Sequence, residues 1–264
     1  MSRHHLTFAC GSLKLAGSLD TAPGHTGLLM VSGGNEIRSG AFCEQSQLAS
    51  KVSRAGFPVF RFDRRGVGDS EGENRGFRSS ARDIAAALHA FRALAPEVER
   101  VVAFGNCDAA SALIITGGEG LDGLILSNPW TLDDENEDRT PPPAAIRQRY
   151  AQKLKDPAEI KRLLSGGVNL RKLASGLFKS AKPAPPPTAL IEEMRAGLEA
   201  FTGNVRFLLA SADRIAQSFD DAWDGDDARI YRCDGAGHSY VEPDHRQWLA
   251  DQVIAALRAE SAHK

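Results

Sequence analysis

The chain has 264 residues, of which 42% are apolar and 25% charged, the composition of a soluble globular protein able to bury a sizeable core in one domain. Its formal net charge of −2 gives no electrostatic reason to expect nucleic acid or an anionic membrane surface as partner. Met1-Ser2-Arg3-His4-His5 leads into alternating polar and apolar residues, without the unbroken apolar core of a signal peptide, and no later apolar run could span a bilayer. The expected compartment is the cytoplasm. There, the four scattered cysteines (Cys10, Cys43, Cys107 and Cys233) are expected as free thiols, since no CxxC pair suggests a disulfide framework or a zinc site.

In chain order, Leu6–Cys10 and Leu13–Leu19 alternate like the strands of an antiparallel hairpin at a sheet edge. Gly27–Val31 is an apolar run fit for a buried strand, and it ends in Ser32-Gly33-Gly34-Asn35. Ala41–Ala55 reads as a helix closed by Gly56, and Pro58–Phe62 as the next strand. Ser80–Leu94 is amphipathic, with Ile84, Leu88 and Phe91 on one face and Ser80 and Asp83 placed for a capping interaction. Val101–Phe104 is a strand, Ala110–Thr116 a helix of small residues, and Leu124–Ser127 a further strand. The rhythm resumes with strands Val205–Ala210 and Arg229–Cys233 and a final helix from Pro243 to Glu260. Alternating strands and helices predict an α/β fold, a mostly parallel central sheet with helices on both faces. Residues 128–204 hold an acidic run (Asp133–Asp138), two proline triplets and helical stretches without a convincing strand. A segment this long is not expected to be structureless. It predicts a helical cap inserted between the two parts of the core, residues 1–127 and 205–264.

Gly105-Asn106-Cys107-Asp108-Ala109 sits between a strand and a helix. It resembles the G-x-S-x-G elbow of α/β-hydrolases, with cysteine in place of serine and alanine in place of the second glycine. Small neighbours are needed there because the turn is tight and the nucleophile's backbone is strained. Asp108 is a rival nucleophile, but it lies one residue past the apex, where a helix N-terminus favours an acid. In this fold the acid and the histidine follow the nucleophile in that order. Asp213 falls at the C-terminal end of strand Val205–Ala210, and His238 follows Asp234-Gly235-Ala236-Gly237 after the last strand. Asp234 is the alternative acid, although its closeness to His238 suits a turn residue better. Two preorganised N–H donors should stabilise an oxyanion: the backbone of Asp108, and one from Gly33-Gly34-Asn35, with Gly34 and Asn35 as candidates. Trp130 should stand at the C-terminal edge of the sheet, where ligands bind in open α/β folds, and together with Arg38 is assigned to substrate binding.

Asp63-Arg64-Arg65-Gly66-Val67-Gly68-Asp69-Ser70-Glu71-Gly72 resembles the D-x-R-G-x-G-x-S-x-G loop of hydrolases of the serine aminopeptidase and monoacylglycerol lipase type, where it is structural. More specific are Gly105-Asn106-Cys107-Asp108-Ala109-Ala110-Ser111-Ala112, Asn128-Pro129-Trp130, Ser211-Ala212-Asp213 and Ala216-Gln217-Ser218-Phe219. With Arg147-Gln148-Arg149-Tyr150 and Leu163–Leu170, they resemble the exosortase A system-associated hydrolase 1 family over nearly the whole chain. One departure is Gly33-Gly34-Asn35-Glu36-Ile37-Arg38, where that family would have G-G-P-Q-x-R. The resemblance implies a bacterial cytoplasmic protein encoded near exopolysaccharide and protein-sorting genes.

The expected chemistry is acyl transfer through a thioester on Cys107, with His238 moving the proton and Asp213 orienting the imidazole. No metal or organic cofactor is expected, and the partner is a small-molecule ester or thioester. Hydrolysis and transfer to another acceptor both remain open. So does a non-catalytic scaffold that binds a partner or a lipid-linked intermediate, because fold alone does not fix function.

Overall fold

Eight strands form one sheet in the computed structural model, which describes residues 2–132 and 189–262. The strands are β1 (Arg3–Cys10), β2 (Leu13–Asp20), β3 (Thr26–Val31), β4 (Val59–Phe62), β5 (Arg100–Asn106), β6 (Gly123–Ser127), β7 (Asn204–Ala210) and β8 (Ile230–Cys233). Their spatial order is β1-β2-β4-β3-β5-β6-β7-β8. β2 is antiparallel to both of its neighbours, and the pairs from β4 through β8 are parallel. The hairpin turns at Gly11, whose φ of 62° suits the first central position of a two-residue turn.

Helices cover both faces, as the alternating rhythm predicts. They are α1 (Glu44–Arg54), α2 (Ala81–Leu94), α3 (Asp108–Ile115), α4 (Ala189–Ala200), α5 (Arg214–Ala222) and α6 (Pro243–Ala262). Successive residues of β3 divide between the two layers, the period-2 pattern of a strand buried on both sides. Leu29 and Val31 join Phe60, Phe62 and Phe207 beneath Leu88 and Phe91 of α2, Leu113 of α3, Met194 of α4 and Phe219 of α5. Leu28 and Met30 join Val59, Val102, Ile125 and Leu208 beneath Val52 of α1 and Val253 and Leu257 of α6.

Several local expectations are corrected. The helix expected from Ala41 begins at Glu44, because Phe42 and Cys43 adopt left-handed backbone (φ 52° and 59°) and break the ladder before it. Ser80 and Asp83 make no side-chain cap. Ser80 Oγ accepts instead from Arg64 Nη1 at 3.1 Å, and the Asp83 carboxylate takes the backbone N–H and Nε–H of Arg65 at 3.0 and 2.8 Å. Helix α5 was not foreseen. Of the stretch expected to form a cap, residues 133–188 lie outside the described residues. Its last part, α4, packs on the sheet layer: Leu190, Ile191 and Met194 are buried in the same core as α3. Gly197 permits this approach, since a Cβ there would lie 2.1 Å from the Ile114 carbonyl oxygen.

The loop after β4 is built around a buried carboxylate. Asp63 is fully buried and accepts from the backbone N–H and guanidinium of Arg38 and from the Asp69 N–H. Ser70 closes the loop onto the sheet, donating to Asp63 O at 2.7 Å and accepting from Ala16 N at 2.9 Å. This is the structural part that its likeness to other hydrolase loops implies.

Candidate active site

β5 ends at Asn106 and α3 begins at Asp108, leaving Cys107 alone at the apex with φ 61° and ψ −128°. A non-glycine residue at that position is strained, and such strain is held only where the surroundings over-determine it. The surroundings here are small and tight. A Cβ on Gly105 would lie 2.7 Å from the Ala109 carbonyl carbon and 2.8 Å from the Ala110 nitrogen, so the helix can return across the strand only if residue 105 is glycine. Backbone bonds fix the apex as well: Cys107 N–H donates to Ser127 O at 3.0 Å, and Cys107 O accepts from Trp130 N–H at 3.3 Å. The thiol is half-buried, whereas Cys10 and Cys233 are buried and Cys43 is exposed.

Asp213 follows β7 and is the N-cap of α5. Its carboxylate accepts from the backbone N–H groups of Ile215 and Ala216, at 3.3 and 3.2 Å. The same carboxylate takes His238 Nδ1 at 2.8 Å. Hydrogen bonds to Asp213 and to the Cys107 thiol outweigh the burial of the ring and push the His238 pKa up to about 10. The imidazole stands between a carboxylate on one side and a thiol on the other. The three residues picked out by chain order are brought together. Asp234, the rival acid, is exposed on the turn after β8.

Asn128 is a residue whose part could not be read from sequence. It is fully buried with φ 43°, at the end of β6. Its Nδ2 donates to Asn106 Oδ1 and to His238 O, at 3.0 and 3.2 Å, and its Oδ1 accepts from Ala210 N at 2.8 Å. One side chain thus ties the ends of three strands and the histidine loop together. The only signal was its place in Asn128-Pro129-Trp130.

Trp130 follows β6 and stands against the elbow. Its carbonyl accepts from Ser111 Oγ at 2.7 Å, its indole Nε1 donates to Leu132 O at 2.7 Å, and its ring packs against the core. Arg38 is held elsewhere. Its guanidinium is engaged by Asp63, by Asp69 at 3.1 Å and by Ser18 at 3.2 Å, which makes it an ion-pair partner of the structural loop and not a free substrate-binding cation. Gly34 N–H also has a partner, the Asp108 carboxylate at 2.6 Å. Asn35 contributes its side-chain oxygen to Asn74 Nδ2 at 2.7 Å.

On the α1 and α6 side of His238 lies a small cavity, lined among others by Glu44, Gln45, Asn106, Ser239 and Tyr240. Gln45 spans from Ser32 Oγ to Glu36, at 3.3 and 3.4 Å. Burial, reinforced by the nearby Glu36, pushes the Glu44 carboxyl up to about 7, and burial also raises that of Glu36.

A family model described as the alpha/beta hydrolase family matches residues 28–252. The chain belongs to that family. The solved structures it resembles below are of low identity, so the likeness to them concerns the fold alone. An esterase of Pyrococcus furiosus is 14% identical, with a TM-score of 0.65 over 99% of this chain and 92% of that one. An alpha/beta hydrolase from Penicillium is 17% identical, with a TM-score of 0.64 over 99% and 100%. A proline iminopeptidase of Mycobacterium smegmatis is 16% identical, with a TM-score of 0.59 over 98% and 99%. No curated protein matches the sequence. Among the described residues, no helix of this alpha/beta hydrolase is long and apolar enough to cross a membrane.

Proposed function

We propose that this alpha/beta hydrolase cleaves esters or thioesters through a covalent thioester on Cys107. The observation that carries the reading is the strained cysteine at the elbow apex beside an imidazole anchored to Asp213. During attack the thiol proton passes to His238, whose ring Asp213 holds in place, and the sulfur acts as thiolate. The sulfur lone pair forms the S–C bond while the carbonyl π pair moves to oxygen. Collapse of that oxyanion expels the alkoxide or thiolate leaving group, which takes the proton from His238. Water then gives a proton to the neutral imidazole and attacks the thioester, releasing the acid and restoring the thiol and the neutral imidazole. Asp213 keeps Nδ1 occupied so that Nε2 handles the proton in both half-reactions.

The motif likeness to the exosortase A system-associated hydrolases supports a bacterial, cytoplasmic setting near exopolysaccharide production. The triad's chemistry supports a small-molecule acyl ester or thioester as substrate. The test is intact mass spectrometry after exposure to aryl-ester and thioester acyl donors. A mass increase equal to the acyl group, mapped to Cys107 and cleared by water, is the expected result. An adduct that persists until a second nucleophile is added would make the protein an acyltransferase. No adduct across a broad panel would favour a non-catalytic binding scaffold.

A further inference from the structure

Gly34 is gripped at both ends of its residue by side chains outside the triad. Its N–H donates to Asp108 Oδ1 at 2.6 Å, and its carbonyl accepts from Arg64 Nη2 at 2.5 Å. Arg64 Nη2 also reaches the two Asp108 oxygens at 3.3 and 3.5 Å, and its Nη1 is anchored on Ser80 Oγ at 3.1 Å. The Arg64 and Asp108 side chains are only 4% and 16% exposed, so the pair is shielded and its hydrogen bonds are charge-assisted. The preceding residue is pressed onto the elbow, since a Cβ on Gly33 would stand 2.6 Å from Asn106 O and 3.5 Å from Cys107 Cβ. The turn closes with Glu36 N–H on Gly33 O at 2.9 Å.

An oxyanion cannot share the Gly34 N–H with a carboxylate at 2.6 Å without placing two negative charges in contact. Asp108 N–H, at the first position of α3, has no intrahelical acceptor and remains available. Among the described residues the next amide of the turn, Asn35 N–H, has no partner either. We propose that Asp108 and Arg64 are positioning residues: they lock Gly34 against the elbow and transfer the second oxyanion contact to the Asn35 amide. Arg64 balances the Asp108 charge, so the carboxylate can sit beside the elbow without repelling the developing oxyanion. The catalytic part of this proposal rests on the acyl-enzyme reading above; the lock itself does not.

Two measurements on the full-length protein separate these layers. Alkylation of Cys107 by iodoacetamide is a displacement at carbon that forms no oxyanion, whereas acylation by an aryl ester does form one. Asp108→Ala should lower the acylation rate by about 100-fold, the scale of a misplaced oxyanion donor, and change alkylation less than about threefold. Asp108→Asn, which keeps an oxygen acceptor for Gly34 N–H, should recover most of the loss. Equal losses in both reactions, or no loss in acylation, would overturn the positioning role. Amide exchange followed by NMR tests the lock without turnover. Gly34 should exchange slowly in the wild type and at least about tenfold faster in Asp108→Ala, and unchanged exchange would overturn the lock. In a complex with a simple aliphatic aldehyde, whose thiohemiacetal on Cys107 presents the oxygen, the Asn35 amide should shift more than that of Gly34; the reverse would overturn the assignment of the donor. If the wild type is alkylated but never acylated, the acyl-enzyme reading fails, and the exchange data still decide the lock.

Discussion

Replacing Glu44 by glutamine tests the electrostatics around His238 directly. Glu44 is partly buried on α1, in the cavity it shares with His238, and its pKa is pushed from 4.5 to about 7 by burial and then by Glu36. In the folded protein the proton is therefore held more tightly than in the unfolded chain. Folding loses stability as the pH rises from about 4.5 to 7, and the full penalty is present above 7. At about 1.36 kcal/mol per tenfold in proton affinity, that rise sets an upper bound of about 3.4 kcal/mol. Partial exposure and relaxation reduce it to about 1–2 kcal/mol. Glu44→Gln should thus be more stable than wild type at pH 8 by that amount, an increase of about 2–8 °C in Tm, and nearly equal to it at pH 4.5. The assay is thermal unfolding of both proteins across that pH range. A Tm difference that does not change with pH would refute the argument, because a packing effect alone carries no such dependence.

Two further outcomes follow from the site. Asp213→Asn should lower turnover by about 10²–10⁴-fold with the fold intact, while Asp234→Asn, on an exposed turn, should change it less than about threefold; steady-state kinetics and circular dichroism check both. Limited iodoacetamide at mildly acidic pH should modify Cys107 first, because that thiol stands half-buried at the start of α3 and hydrogen-bonded to His238. Exposed Cys43 should follow, and Cys10 and Cys233, whose thiols burial pushes up, should react last; peptide mapping gives the order.

The framework was legible because it rests on local patterns. Gly27–Val31 and Leu124–Ser127 are apolar without alternation, as strands covered on both faces must be, and they lie at the centre of the sheet. Asp213 and His238 could be placed because each follows a strand end, where a parallel sheet gathers its loops. What escaped depends on contacts between distant segments. Arg64 sits in a loop readable as structural, yet its guanidinium reaches 44 positions along the chain to Asp108. Arg38 went astray for the converse reason: its charge suggested a ligand, but Asp63 lies within its reach once the chain has folded. Nor could the placement of α4 be read, since its apolar face fits a cap and a core helix equally well. The close approach allowed by Gly197 decides it.

The distribution of strained backbone shows what the fold does with its stability. The described non-glycine residues with positive φ are Phe42, Cys43, Cys107, Asn128 and Tyr240. Phe42 and Cys43 immediately precede Glu44, Cys107 and Asn128 directly follow β5 and β6, and Tyr240 lies in the histidine loop between β8 and α6. At about 1–3 kcal/mol each, these conformations cannot persist by chance in a protein of marginal stability. The last three are held by one hydrogen-bonded frame. Asn128 ties Asn106, Ala210 and the His238 carbonyl together, and buried Tyr240 places its hydroxyl 3.2 Å from Ser127 Oγ and 3.3 Å from Leu208 O. Packing supports the frame from below, where Tyr240 stacks on Trp248 at 6.0 Å. Such a frame fixes the separation of thiol and imidazole by tying the histidine loop to the strand ends. It also accounts for a buried asparagine where a hydrophobic residue would pack more simply: only a side chain with both donor and acceptor can satisfy Ala210 N–H and the histidine loop at once.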